Sequence, residues 1–207
     1  MFLPPVELIM LCWWLEITAS LLMLKTGWAD ANRTVVIGLL VGSIIGVPIG
    51  VYLTTSMPAD TSKLVALFLV AGLAALQLAR IKMPFLATRP GLYGSGLAVG
   101  IVTGLAGIGG MVVALYVLAQ NAPARQMRAS LVLFLFAGSL TSMITYLAYG
   151  VMDAQAATRG LTFAIPAGIG VILGKALFTP RFEPYYKIFC LVLLIALAGS
   201  GIIRLGL

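Results

Sequence analysis

The sequence contains no histidine, and that absence removes several kinds of chemistry at once. A histidine-ligated metal site, an imidazole proton relay and a Ser-His triad are all excluded. Charge is scarce as well: lysine and arginine total 13, aspartate and glutamate total 6, and together they make 9% of the residues. That is far too little polar surface for a soluble domain of this length. No ATP-binding motif is present, so coupling to ATP within this chain is excluded. Only two cysteines occur, Cys12 and Cys190, both inside apolar runs and far apart, and they read as small apolar packing residues.

What the chain does have is apolar length. Of its 207 residues 61% are hydrophobic, with a mean hydropathy of +1.11. Seven apolar runs stand near 3–24, 34–55, 63–80, 91–120, 127–149, 157–178 and 185–205. Most are close to the ~20 residues that cross a bilayer core as a helix. The connections are short, so no water-soluble domain is appended. The expected fold class is an all-α polytopic membrane protein, a single transmembrane domain over 1–207. The first run has no basic residue before it and no small-residue cleavage pattern after it, unlike a signal peptide. The net charge of +7 is spread over loops and span ends, the pattern of basic loops rather than of nucleic-acid binding.

Sliding the chain along itself by about 124 residues reveals a weak internal repeat. TGWADANRTVVIG (26–38) sets beside YGVMDAQAATRG (149–160), aligning Asp30 with Asp153. Gly46 and Gly50 meet Gly170 and Gly174, Lys63 meets Lys187, and Arg80 meets Arg204. The repeat divides the chain into two three-helix units, 3–81 and 127–205, with 91–120 between them. If 91–120 crosses the membrane once, the loop cations split seven to five and give no orientation. If it enters and leaves on one side, Lys25, Arg33, Arg80, Lys82, Arg89, Arg125, Arg128, Arg181 and Lys187 share a face. Only Lys63, Arg159 and Arg204 then remain opposite, which is the positive-inside bias. A hairpin also inverts the two units relative to each other, an arrangement used by transporters with midplane sites at broken helices. Thirty helical residues would run about 45 Å, too long for one crossing and too short for two, so two half-length helices are expected.

The stretch GLAGIGGMV (104–112) is where such a break belongs. Glycine costs about 1 kcal/mol against alanine inside a helix, and Gly104, Gly107, Gly109 and Gly110 fall within nine residues. Their spacings do not form a packing ladder. Gly96, Gly100 and Gly104, and Gly38, Gly42, Gly46 and Gly50, do recur every four residues and predict close helix contacts. Pro48 and Pro166 are expected to bend their helices. A helix restarting near Gly110 would aim free N–H groups and its positive dipole end into the membrane, a backbone anion site. Other polar residues within the runs are few. Glu16, beside Trp13 and Trp14, either carries a coupling proton, or bonds backbone freed by a neighbouring break, or is a neutral acid bonded to a nearby hydroxyl. Ser139, Thr141, Ser142 and Thr145 either line a polar path or bond their own helix. Lys175 is expected to snorkel to the interface, and Thr103 and Gln77 stay open.

GIVTGLAGIGG (100–110), the following VALYVLAQ, RAS at 128–130 and YGVMD at 149–153 resemble the second half of the TauE/SafE family of sulfite exporters. LPPVEL (3–8) and GVPIG (46–50) resemble its first half. The resemblance implies an all-helical transporter of sulfite, sulfonates and other small organosulfur anions. In that family the glycine motif typically occurs twice, once at the head of each half. Here the sequence opens at MFLPP, and a preceding piece of roughly 40 residues is expected to be lacking. Relatives often carry proline after the last glycine, whereas this chain has Met111 and Val112.

The resulting expectation is a multi-pass permease of the cytoplasmic membrane, not an enzyme, without cofactor or metal, moving a small anion. The residues expected to hold substrate are Thr103, Gly104, Gly107, Gly109, Gly110 and Ser142, with Glu16 as the coupling candidate. Its partners are the anion and the lipid bilayer, with no nucleic acid, and a homo-oligomer is compatible with the composition. The alternatives are a membrane scaffold or accessory subunit and an inactive transporter fragment.

Overall fold

Each apolar run of the sequence is helical. The computed structural model describes residues 5–28, 30–79, 84–119, 123–152, 154–177 and 183–204. The helices are α1 (Pro5–Gly27), α2 (Arg33–Ser56), α3 (Ala59–Leu78), α4 (Arg89–Ala106), α5 (Gly109–Ala119), α6 (Ala124–Ala148), α7 (Ala154–Leu177) and α8 (Glu183–Arg204). A single 3-10 turn, Pro84–Ala87, precedes α4, and no strand occurs among the described residues. Arg80, Lys82, Asp153 and Arg181 lie outside the described residues, as do the side chains of Lys25, Arg159, Lys175, Lys187 and Arg204. Glu7–Leu24, Arg33–Ser56, Ala59–Leu78 and Arg125–Ala148 are each long and apolar enough to cross a membrane. Shorter apolar stretches occupy α7 (Gly160–Leu173) and α8 (Val192–Ile203).

Local chemistry sets the helix starts. The Asn32 side chain caps α2 by accepting from the Val35 N–H at 3.3 Å. Thr88 caps α4 by accepting from the Gly91 N–H at 3.2 Å, with Pro90 in the first turn where its missing N–H costs nothing. Pro48 and Pro166 sit inside α2 and α7, and both helices continue through them.

The two glycine ladders meet each other. Gly38, Gly42, Gly46 and Gly50 on α2 lie against Leu92, Gly96, Gly100 and Gly104 on α4, in the same order, so the helices run parallel. A Cβ on Gly42 would stand 2.6 Å from the Tyr93 carbonyl oxygen, and one on Gly100 would stand 2.6 Å from that of Ser43. Gly38 meets the Leu92 side chain, and from Gly42 to Gly50 backbone packs on backbone. In a membrane, where burial against lipid supplies no driving force, such close packing is a main source of helix association.

The chain reverses after α4. α5 packs back along α4 and reaches the Pro84–Ala87 turn that precedes it. Val113, Tyr116 and Val117 of α5 share a buried cluster with Leu39 and Val99, and Leu86 packs against it. The two arms are unequal, which corrects the expectation of half-length helices. α4 has 18 residues, about 27 Å, and α5 has 11, about 17 Å. The seam with α2 holds α4 straight until Gly107, so the first arm runs past the middle.

Contacts between loops confirm the reversal. Arg125 at the start of α6 pairs with Asp30 of the α1–α2 turn at 2.6 Å, and the Asn32 N–H donates to the Ser130 hydroxyl at 2.9 Å. These contacts place the α2 and α6 starts at one end of the molecule, which 91–120 must leave and re-enter. Exposed Arg33, Arg89, Arg125 and Arg128 gather at that end. Lys63, paired with Asp60, lies at the other. α1 and α6 pack together, joined by the Trp13 indole N–H donating to the Ser139 carbonyl at 2.8 Å. α7 closes on α1 where Gly160 lies beneath the Trp14 indole, leaving no room for a Cβ.

The seam predicts a specific mutational contrast. Gly46→Ala puts a methyl into the Leu97 carbonyl and 2.9 Å from the Gly100 Cα, and is expected to lose about 1–3 kcal/mol in unfolding from detergent. Gly72→Ala, with nothing within 4 Å of its Cβ, is expected to lose nothing and to gain up to about 1 kcal/mol. Equal losses would contradict the backbone-on-backbone packing.

Candidate functional site

A helix that stops inside an apolar segment leaves its last carbonyls and the next helix's first N–H groups without partners. Gly107 makes the stop. It is the C-cap of α4 with φ 69° and ψ 19°, the left-handed conformation that favours glycine, and its N–H donates to the Thr103 carbonyl at 2.8 Å. Two residues later, at Gly109, α5 begins. Gly109 lies so close to the Thr103 hydroxyl that a side chain there would collide with it.

Neighbouring helices receive the exposed backbone. The Thr54 hydroxyl of α2 lies 3.0 Å from the Gly104 carbonyl, 3.5 Å from that of Leu105 and 3.1 Å from that of Gly50 in its own helix. Its single proton is shared among them at the end of α4. The Gln77 side-chain amide of α3 donates to the Met111 carbonyl at 3.0 Å, tying the first turn of α5 to α3. Gln77 thereby acquires a role that its sequence position left open. On the other side of the break, a Cβ on Gly107 would stand 3.0 Å from the Cys12 Cβ of α1. Cys12 is thus the small packing residue that the sequence suggested, set against the reversal.

Beside the break is a small cavity where α1, α2, α4 and α6 meet. Its polar wall comprises Trp13 and Glu16 from α1, Ser43 from α2, Thr103 from α4, and Ser139 and Ser142 from α6. The volume open to a water centre is about 10 Å³, room for about one water, so this form is closed to a sulfur oxyanion. Three hydroxyls bond their own helices: Ser43 to the Leu40 carbonyl at 2.9 Å, Thr103 to Val99 at 2.7 Å and Ser139 to Leu135 at 2.7 Å. Ser142 is buried in the same wall. The Glu16 carboxyl has Cys12 and Tyr146 as its titratable neighbours. No lysine or arginine lies in the cavity wall.

Of the residues expected from sequence, Glu16, Thr103 and Ser142 come together in this cavity. Gly107 and Gly109 form the adjoining reversal, and Gly110 is separated from the cavity by Leu135, whose methyl would lie 3.1 Å from a Cβ there. Gly104 belongs to the seam instead, its would-be Cβ 2.6 Å from the Val47 carbonyl and the Val51 amide. Thr141 bonds the Gly138 carbonyl of its own helix at 2.9 Å. Sequence reasoning missed Thr54, Ser43 and Tyr146, which reach the site only through helix packing.

The satisfied backbone yields a test. Thr54→Val keeps shape but strands a carbonyl at the end of α4, and is expected to lower unfolding stability by about 1–2 kcal/mol. Thr55→Val, whose hydroxyl bonds its own helix, is expected to stay within about 0.5 kcal/mol. Indistinguishable variants would show that Thr54 does not support the break.

Comparison with known proteins bears on the same residues. No curated protein and no solved structure matches the chain. The family model described as sulfite exporter TauE/SafE matches residues 1–200, which include the seam, the break and the cavity. An all-helical chain of membrane-crossing length, reversed at GIVTGLAGIGG and matched over nearly its whole extent, belongs to the TauE/SafE family of sulfite exporters.

Proposed function

We propose that this chain is a secondary transporter of small anions, with sulfite or a short organosulfonate as cargo, in a cytoplasmic membrane. The observation that carries the reading is the shared position of Thr103, which abuts the start of α5 and lines the cavity. An anion entering there meets the first N–H groups of α5 on one side and the Ser142 hydroxyl on the other. Backbone donors at a helix start favour negative charge. They also suit a carrier, because they hold an oxyanion without the ion pairing that an arginine would impose.

The closed cavity must widen for cargo to enter. Leu135 stands between Gly110 and the cavity, so movement of α6 against the α4–α5 hairpin joins the two parts. The repeat of 3–81 and 127–205 supports alternating access by rocking of these units about the α1–α6 contact. Chemistry on the cargo finds no support in the cavity wall, where no nucleophile–base pair stands.

Proteoliposomes loaded with a panel of sulfite, sulfate, thiosulfate and a short sulfonate test this reading. The expected outcome is saturable flux of at least one sulfur anion, reduced at least about tenfold by Gly110→Leu. Gly72→Leu, facing open space, serves as the control. Folded protein without flux of any of them would contradict the reading and favour an accessory role.

A further inference from the structure

Glu16 lies near the middle of α1, in a segment of membrane-crossing length and hydropathy. It lines the cavity with Ser43, Thr103, Ser139 and Ser142. Around it the titratable neighbours are Cys12, one turn earlier on α1, and Tyr146 on α6. α2 and α4 present Ser43, Val47 and Thr103 to the same space, and α7 meets α1 through Gly160 and Gly168. None of these supplies a positive charge, and the cations of the described residues stand at the helix ends. An ionised Glu16 thus has no counter-ion in the wall.

We propose that Glu16 is the proton-binding group of a proton–anion symport, its carboxyl being neutral whenever the anion occupies the cavity. This rests on the anion-transport reading above. Two negative charges in one small, water-poor cavity without a cation repel strongly, because the low dielectric does not screen them. Anion entry therefore requires a proton on Glu16, taken from water on the side of entry. Once the cavity opens to the other side, anion and proton leave together and the emptied site returns. A singly charged sulfonate would cross with one proton and no net charge. The glutamate is also a selectivity device: a cation would be drawn to its ionised form, whereas an anion is admitted only to its neutral one.

The dependence on pH has a definite sign. Raising pH ionises Glu16 and empties the anion site, so the KM for anion is expected to rise by up to about tenfold per pH unit above its titration point. Lowering pH restores binding.

The test uses the intact chain in proteoliposomes with a short alkyl sulfonate, whose own acid is ionised throughout, and an enclosed pH dye. Potassium and valinomycin clamp the potential, so any proton that moves with the sulfonate is carried by the protein. Inward sulfonate flux is expected to acidify the lumen with about one proton per anion, the one exchangeable site that Glu16 provides. In Glu16→Gln the acidification is expected to vanish and the pH dependence of KM to flatten, while Glu16→Asp retains both. Sulfonate flux without acidification in the unmodified protein would overturn the symport and leave the transport reading intact. Acidification that persists in Glu16→Gln would overturn the assignment to Glu16. Absence of flux of every sulfur anion would overturn both readings.

Discussion

A backbone interrupted inside the membrane is the constraint around which this structure is arranged. Every N–H and C=O released at Gly107–Gly109 needs a partner from elsewhere, because lipid supplies none. Thr54 meets the carbonyls at the end of α4, and Gln77 holds the first turn of α5. Thr54 is brought within reach by the glycine seam, which draws α2 and α4 together until backbone touches backbone. The seam and the break are parts of one device: tight packing keeps α4 rigid to its last turn, and the reversal follows immediately.

The same device positions the cavity. Because α4 extends past the middle before reversing, Thr103 comes level with Glu16 of α1 and Ser142 of α6. α5 then returns toward the end it came from, so its start is directed into the protein. A hairpin of equal arms would place the reversal elsewhere along α1. The contact of Gly107 with Cys12, one turn from Glu16, couples any shift of α1 to the reversal itself. Family membership points to a membrane transporter of sulfite or related anions, and the meeting of cargo and proton in this cavity is the proposal made above.

Much of this was legible in the sequence, for physical reasons that differ by residue. Helix positions follow from apolar runs of bilayer length, and the seam follows from glycines repeating every fourth residue in two segments. The break is readable because glycines spaced three, two and one apart cannot form a ladder, and Gly107 adopts the left-handed turn. Loop cations pointed to a hairpin, and α5 packs back along α4 toward the turn that precedes it. Thr54 was not readable, since its partner is fifty residues away and a threonine near a helix end usually bonds its own turn. The unequal arms were also hidden, because arm length depends on how far the seam extends rather than on hydropathy. Cys12 packs as a small residue, as read, but its partner Gly107 carried no pattern that would have shown it.

The central claim is that the cavity beside the break is where the anion sits. Ser142→Cys, in a chain with Cys12 and Cys190 replaced by serine, tests it most directly through its rate of reaction with a water-soluble maleimide. The account predicts that Ser142→Cys reacts during turnover and that a saturating short sulfonate slows the reaction. Reaction at an unchanged rate while the same sulfonate is being transported would place the anion elsewhere.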